Sequence, residues 1–186
     1  PLNIAARLQE AGANIFGTPV EAIARAEDRA QFKEMLDKLN LKQAPNATAT
    51  TLEDSLKHAE KIGYPIIMRP SFVLGGAKME IVYDEKSLRI YWEELMEYCT
   101  RADVQINDKR PILIDKFLEC ATEVDVDALC DTKDVYVAGI MEHIEQAGIH
   151  SGDSACSLPP FSLNDEMIAR LEKATRAMAL ELGVKG

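Results

Sequence analysis

The sequence predicts an α+β fold. Segments with apolar residues at helical spacing are interleaved with short strand-length apolar or alternating runs. The strand-like runs come in neighbours suited to antiparallel hairpins, with helices flanking them, rather than in regular strand–helix–strand units. Several helical segments also open on capping residues and close on glycine. At 186 residues the chain has material for one substantial core, with part of a neighbour.

The elements follow in order. Leu2 to about Ala11 has helical periodicity, and Asn14-Ile15-Phe16 reads as a short strand ended by Gly17. Thr18-Pro19-Val20-Glu21 reads as a capping box with proline at the first helical position. A second helix starts near Asp28, with Phe32, Met35, Leu36 and Leu39 on one face. Leu41 to Thr50 is a loop with room for a short strand, and Thr51-Leu52-Glu53-Asp54 caps a helix that stops at Gly63 in a left-handed terminator. Ile66 to Arg69 is a short apolar strand, and Met79 to Tyr83 returns beside it as a hairpin across Gly75-Gly76. Leu88, Trp92, Leu95 and Cys99 mark a long helix. Strands are then expected over 112–118, 123–130 and 135–141, and Ser162-Leu163-Asn164-Asp165 caps a last helix ending near Gly183.

Composition excludes several classes. A formal charge of −10 argues against non-specific nucleic-acid binding, which needs Lys and Arg to neutralise phosphates. No apolar run approaches the ~18–20 residues needed to span a bilayer, and no Arg/Ser-rich leader opens the chain. The four cysteines have no CxxC spacing, which points away from disulfides and zinc and towards reduced thiols in the cytoplasm. The chain opens at Pro1 without Met, and is read as a piece of a longer polypeptide.

Some stretches carry more chemistry than connectors need. Arg69 ends a strand just before Gly75-Gly76, where an arginine and a bare backbone could meet an anion, or where a glycine turn simply lies beside a surface arginine. Glu123, Asp125 and Asp127 alternate along one strand face, which suits either solvent or a hydroxyl- or cation-bearing ligand. Where the strand before them leaves its sheet, at Asp115 to Glu119, exposed backbone groups could read the edge of a ring. In Glu142 to Pro160, His143 and His150 lie too far apart for a specific metal spacing. Gly148-Ile149-His150-Ser151-Gly152 is better suited to phosphate, through glycine backbone and two hydrogen-bonding side chains. These readings stop at an anion-binding α+β domain.

Longer strings then resemble one family: Arg25-Ala26-Glu27-Asp28-Arg29, Gly63-Tyr64-Pro65, Arg69-Pro70-Ser71 with Val73-Leu74-Gly75-Gly76, Met79 to Asp84, Glu123 to Ala128, and Met141 to Ser154. In order and together they resemble the large subunit of carbamoyl phosphate synthetase, in its carboxy-terminal, carbamate-phosphorylating ATP-grasp half. The resemblance covers nearly the whole chain. It implies an ATP-grasp fold of two α+β subdomains clasping ATP, with residues 1–18 closing a preceding pre-ATP-grasp domain and 19–186 in the ATP-grasp domain. Carried over, Arg69 and His150 serve catalysis. Arg69, Gly75, Gly76, Lys116, Leu118, Glu123, Gly148, Ile149, His150 and Ser151 bind ATP, with Lys116 and Leu118 acting through the backbone and Arg29 a further phosphate contact.

The implied reaction passes the γ-phosphate of ATP to carbamate, with Mg²⁺ (Mn²⁺ as an alternative), in arginine and pyrimidine biosynthesis in the cytoplasm. The implied partners are the rest of the large subunit and a glutaminase small subunit supplying ammonia. Two departures are noted. The strands bearing the family's metal ligands are expected beyond Gly186, so no metal ligand is assigned within the chain and the piece alone is expected not to turn over. The stretch Tyr98 to Arg110 is expected to extend a surface loop after its helix. A non-catalytic nucleotide-binding or structural fragment is the alternative reading.

Overall fold

In a computed structural model, residues 2–73, 78–147 and 154–186 are described. In chain order they form α1 (Leu2–Glu10), α2 (Val20–Glu27), α3 (Arg29–Lys38), β1 (Asn46–Ala49), α4 (Leu52–Ile62), β2 (Ile66–Pro70), β3 (Glu80–Val82), α5 (Glu85–Arg101), β4 (Ile112–Lys116), β5 (Val124–Cys130), β6 (Val135–His143), β7 (Cys156–Ser157) and α6 (Asp165–Leu182). They divide between two compact units. A central unit spans Ala44–Ala121, and a terminal unit combines the chain up to Gln43 with Thr122–Gln146 and the segment ending at Gly186.

The central unit is an antiparallel sheet in the order β1-β4-β2-β3, packed with α4 and α5. Strand β2 alternates as a half-buried strand should: Ile66, Met68 and Pro70 are buried and Arg69 is exposed. Strand β4 lies inside the sheet, flanked by β1 and β2, and Ile112, Leu113 and Ile114 are all buried. Helix α5 brings Leu88, Tyr91, Trp92, Leu95 and Cys99 onto that core at helical spacing. Its start is fixed by Asp84, whose carboxylate accepts from the Ser87 N–H at 2.7 Å. Thr51 caps α4 in the same way through the Asp54 N–H at 3.1 Å. One turn apart on α4, Ser55 and Ala59 are fully buried, and their small size brings this helix close to its neighbours.

The terminal unit carries a second antiparallel sheet, β5-β6-β7, with α6 against β5 and β6. Strands β5 and β6 pair from Val124↔Glu142 to Cys130↔Val135, with a register shift between Asp127 and Ala128. Strand β7 adds only Glu142↔Ser157 and His143↔Cys156. Helix α6 is capped by Asn164 and ends at Gly183 in the left-handed conformation (φ 70°, ψ 38°). Glu181 on α6 receives Lys38 at 2.7 Å and Arg25 at 3.2 Å, tying α2 and α3 to it. Those two cations, Lys38 first, hold the Glu181 carboxyl below its ordinary value against the opposing effect of burial.

Four local expectations are corrected. Asn14-Ile15-Phe16 forms no strand. Thr18 does not cap α2: Pro19 occupies the cap position, and the Thr18 hydroxyl instead accepts from the Lys185 N–H at 3.2 Å. Pairing with a segment distant in sequence has displaced the local cap. Gly63 ends α4 at φ 82° and ψ 132°, an extended conformation open to glycine rather than a left-handed helical one. Finally, Tyr98 to Arg101 is the last turn of α5, so the loop itself is shorter than expected and closes on an Asn107↔Arg110 bridge.

The central core sets a testable magnitude. Leu95→Ala should lower stability by about 2–5 kcal/mol, because Leu95 is almost wholly enclosed and the cavity cannot fully collapse. Urea unfolding followed by the fluorescence of the buried Trp92 reads this directly, and an unchanged midpoint would remove Leu95 from the core.

Candidate functional site

In the central unit, Arg69 lies on β2 opposite Leu113 of β4. Its guanidinium is exposed and has no hydrogen-bond or ion-pair partner among the described residues, so it is available to an anion. The hairpin that follows is anchored at its base. Tyr91 donates through its hydroxyl to the Lys78 carbonyl at 2.7 Å, and Lys78 Nζ stands 5.4 Å from the Tyr98 ring centroid. Burial, aided by Glu80, pushes the Tyr91 hydroxyl well above the ordinary tyrosine range, so it remains a donor.

Lys116 closes β4, and its ammonium group donates to the Gly63 and Tyr64 carbonyls, each at 2.9 Å. That side chain is therefore committed to the turn between α4 and β2. The Lys116 N–H reaches the Pro45 carbonyl at 2.8 Å and the Phe117 N–H reaches Pro65 at 3.2 Å, on opposite sides of the departing chain. Leu118 follows, 53% exposed.

In the terminal unit, Glu123 immediately precedes β5, and its carbonyl accepts from the His143 N–H at 3.0 Å. Asp125 is not simply solvated, because its Oδ2 lies 2.9 Å from His143 Nε2, a diagonal contact across β5 and β6. Glu142, the neighbour of His143 on β6, is buried. Its carboxylate accepts from the Phe161 N–H at 2.9 Å, the Ser162 N–H at 2.8 Å and the Ser162 hydroxyl. Burial alone would raise its pKa, but the Ser162 and Phe161 hydrogen bonds outweigh that and hold it below the ordinary glutamate value.

Arg69, Lys116 and Leu118 thus belong to the central unit and Glu123 to the terminal unit. Gly75 and Gly76, with Gly148, Ile149, His150 and Ser151, lie outside the described residues. Arg29 opens α3. Sequence reasoning missed the Glu142–Ser162 anchor and the Asp125–His143 contact. Each joins residues far apart in sequence, so no local pattern carries it; the one signal was the density of carboxylates and histidines around Glu142.

Glu142 generates a pH prediction. Because its pKa is depressed in the folded state, its contribution is fully present above the ordinary glutamate value of about 4.3 and is lost as pH falls through the lower folded value. Glu142→Gln should therefore be less stable at neutral pH and show a flatter acid limb in urea midpoints. Parallel acid limbs in the two proteins would refute this assignment.

Comparison with known proteins places this geometry. Residues 28–186 match the family described as carbamoyl-phosphate synthase L chain, ATP binding domain. The chain is 55% identical over 185 residues to the carbamoyl phosphate synthase large chain of Methanothermobacter thermautotrophicus, covering 100% of this chain and 17% of that protein. It is 53% identical over 186 residues to the large chain of Campylobacter jejuni, of which it covers 16%. The chain therefore spans about a sixth of the length of these relatives. Among solved structures, a biotin carboxylase from Campylobacter jejuni in a β,γ-ATP complex aligns over 100% of this chain and 41% of its own, with TM-score 0.77 at 19% identity. The biotin carboxylase domain of the Hydrogenobacter thermophilus 2-oxoglutarate carboxylase, with MgADP and bicarbonate, aligns over 100% and 40%, with TM-score 0.79 at 20% identity. These likenesses fix the fold as ATP-grasp, as the resemblance implied. The chain belongs to the carbamoyl-phosphate synthase L chain ATP-binding domain family.

Proposed function

We propose that this chain is the ATP-binding part of a carbamoyl phosphate synthetase large subunit, a ligase, and that it comes from the half that phosphorylates carbamate. The observation that carries the reading is identity of 55% sustained across the chain to a large chain of that enzyme. The string His143-Ile144-Glu145-Gln146-Ala147-Gly148 continuing through His150 to Pro159 supports the carboxy-terminal half. On this reading residues 1–18 close a preceding pre-ATP-grasp domain and residues 19–186 belong to the ATP-grasp domain.

The reaction moves the γ-phosphoryl group of ATP onto a carbamate oxygen. A new P–O bond forms as the bond to the bridging oxygen breaks, and ADP leaves with that electron pair. Positioning and charge neutralisation supply most of the catalysis in such transfers. The exposed guanidinium of Arg69, free among the described residues, suits phosphate oxygens. Backbone N–H groups of Gly75 and Gly76 would cover the phosphate chain and limit water around an unstable acceptor. The Lys116 side chain is occupied by Gly63 and Tyr64, so adenine recognition falls to the backbone of Lys116 and Leu118. Glu123 would accept from the ribose hydroxyls. Gly148, Ile149, His150 and Ser151 would line the pocket, with His150 nearest the phosphates and Arg29 a further phosphate contact.

Magnesium, when bound, would neutralise charge on the phosphate oxygens. On this reading other strands of the family's ATP-grasp domain hold it, and no residue of 1–186 is assigned to it. The Asp125, His143 and Cys156 donor set offers imidazole and thiol nitrogen and sulfur, which suit softer ions than Mg²⁺. Ammonia would come from a glutaminase small subunit, and the product would feed arginine and pyrimidine synthesis in the cytoplasm. Among the described residues no helix is long and apolar enough to cross a membrane.

Two measurements test the reading. Titration of the chain with Mg·ATP in a calorimeter should give binding that Arg69→Ala weakens at least about tenfold, the loss of roughly one charge-assisted contact. Absence of both heat and thermal shift in the unsubstituted chain would sink the nucleotide reading. In the full-length enzyme, His150→Asn should slow carbamoyl phosphate formation at least about tenfold while sparing glutamine hydrolysis. Unchanged synthesis would remove His150 from catalysis.

A further inference from the structure

We propose that Asp125, His143 and Cys156 form a binding site for a borderline-soft divalent cation of the zinc type. One ligand atom from each residue lies within 4.8 Å of the others. The three come from three neighbouring strands, β5, β6 and β7, and His143 faces Cys156 directly in the β6–β7 register. Each strand thus delivers one donor to the same point on one sheet.

The chemistry of the donors selects the ion. A thiolate, an imidazole and a carboxylate suit zinc, whereas magnesium and calcium take oxygen donors. Zinc bonds of about 2.0–2.3 Å place tetrahedral ligands roughly 3.3–3.6 Å apart. The His143 Nε2–Asp125 Oδ2 separation of 2.9 Å would open slightly, and the widest separations, up to 4.8 Å, would close by about an ångström. The exposed Cys156 side chain can supply that movement by rotation about its own bonds.

Burial fixes one ligand and leaves another accessible. The His143 side chain is 1% exposed and locked by packing, while Asp125 is 49% exposed, so one ligand is fixed and the site remains open to solvent. His143 Nδ1 is buried with no hydrogen-bond partner among the described residues, so the ring is oriented by its Nε2 contact and packing alone. Binding would replace the proton shared between Nε2 and Asp125. That proton moves to Nδ1, where the absence of an acceptor among the described residues is a cost that the bonds to Asp125, His143 and Cys156 must offset; the Cys156 thiol proton goes to solvent, and the fourth coordination position is left to water.

The cation would tie β7 to the two strands beside it. Strand β7 pairs with β6 at Glu142↔Ser157 and His143↔Cys156, next to the Ile144 N–H to Ala155 carbonyl bond at 2.9 Å, and a metal cross-link there would reinforce this short attachment. The site adjoins Glu123, which the nucleotide reading uses, but its donors and its test involve no nucleotide, so it survives the failure of that reading.

The test uses reduced protein without nucleotide, titrated anaerobically with Co²⁺ and then displaced with Zn²⁺. A thiolate-to-cobalt charge-transfer band should saturate at one equivalent, with release of about one proton and a rise in Tm. Cys156→Ser should abolish the band, and Asp125→Asn should weaken binding at least about tenfold. Cys120→Ser, an exposed cysteine in the central unit, should leave both unchanged. No band in the unsubstituted protein, or a band that persists in Cys156→Ser, overturns the proposal.

Discussion

The terminal unit is organised by a buried carboxylate whose pKa burial alone would raise. Glu142 ends buried on β6 and stays ionised because the Phe161 and Ser162 N–H groups and the Ser162 hydroxyl converge on it. A buried charge is tolerated only when it is this fully satisfied. The contact fixes the chain just before α6 against the sheet, next to the Asn164 cap that starts the helix. Because strand neighbours point to opposite faces, the same register delivers His143 to the other side, against Asp125. The buried acid therefore holds the helix entry, while Asp125 orients the histidine on the opposite face.

The central unit follows a different logic, with little charge inside it. Its core is aliphatic and aromatic, drawn from β2, β4 and the inner face of α5. Polar groups at its margin are spent on backbone carbonyls: Lys116 on Gly63 and Tyr64, and Tyr91 on Lys78. These bonds hold the turn before β2 and the base of the β2–β3 hairpin. Arg69 is left projecting from a rigid strand with its charge uncommitted among the described residues. Rigid strands around a free cation suit the binding of an anionic ligand.

Much of this was legible beforehand because it is local. The Thr51 cap, the capping stretch Ser162 to Asp165, the buried stripe of α5 and the short apolar strand β2 each follow from neighbours a few residues apart. Where local reading failed, a distant partner had intervened. Thr18 looked like a cap but bonds Lys185, and Asp125, read as facing either solvent or a ligand, meets His143. The scattered cysteines gave no motif, because the approach of Cys156 to His143 depends on a two-residue strand pairing.

By itself the sequence determined the α+β class, the helix starts, the apolar faces and membership of a family, since each is encoded in short-range pattern or in ordered strings of residues. Only the tertiary structure decided which polar groups meet. It took Lys116 out of side-chain recognition, buried Glu142 as an anchor, and gathered Asp125, His143 and Cys156 on one face. Such meetings depend on strand register, and a shift of one residue would send every one of these side chains to the opposite face of its sheet.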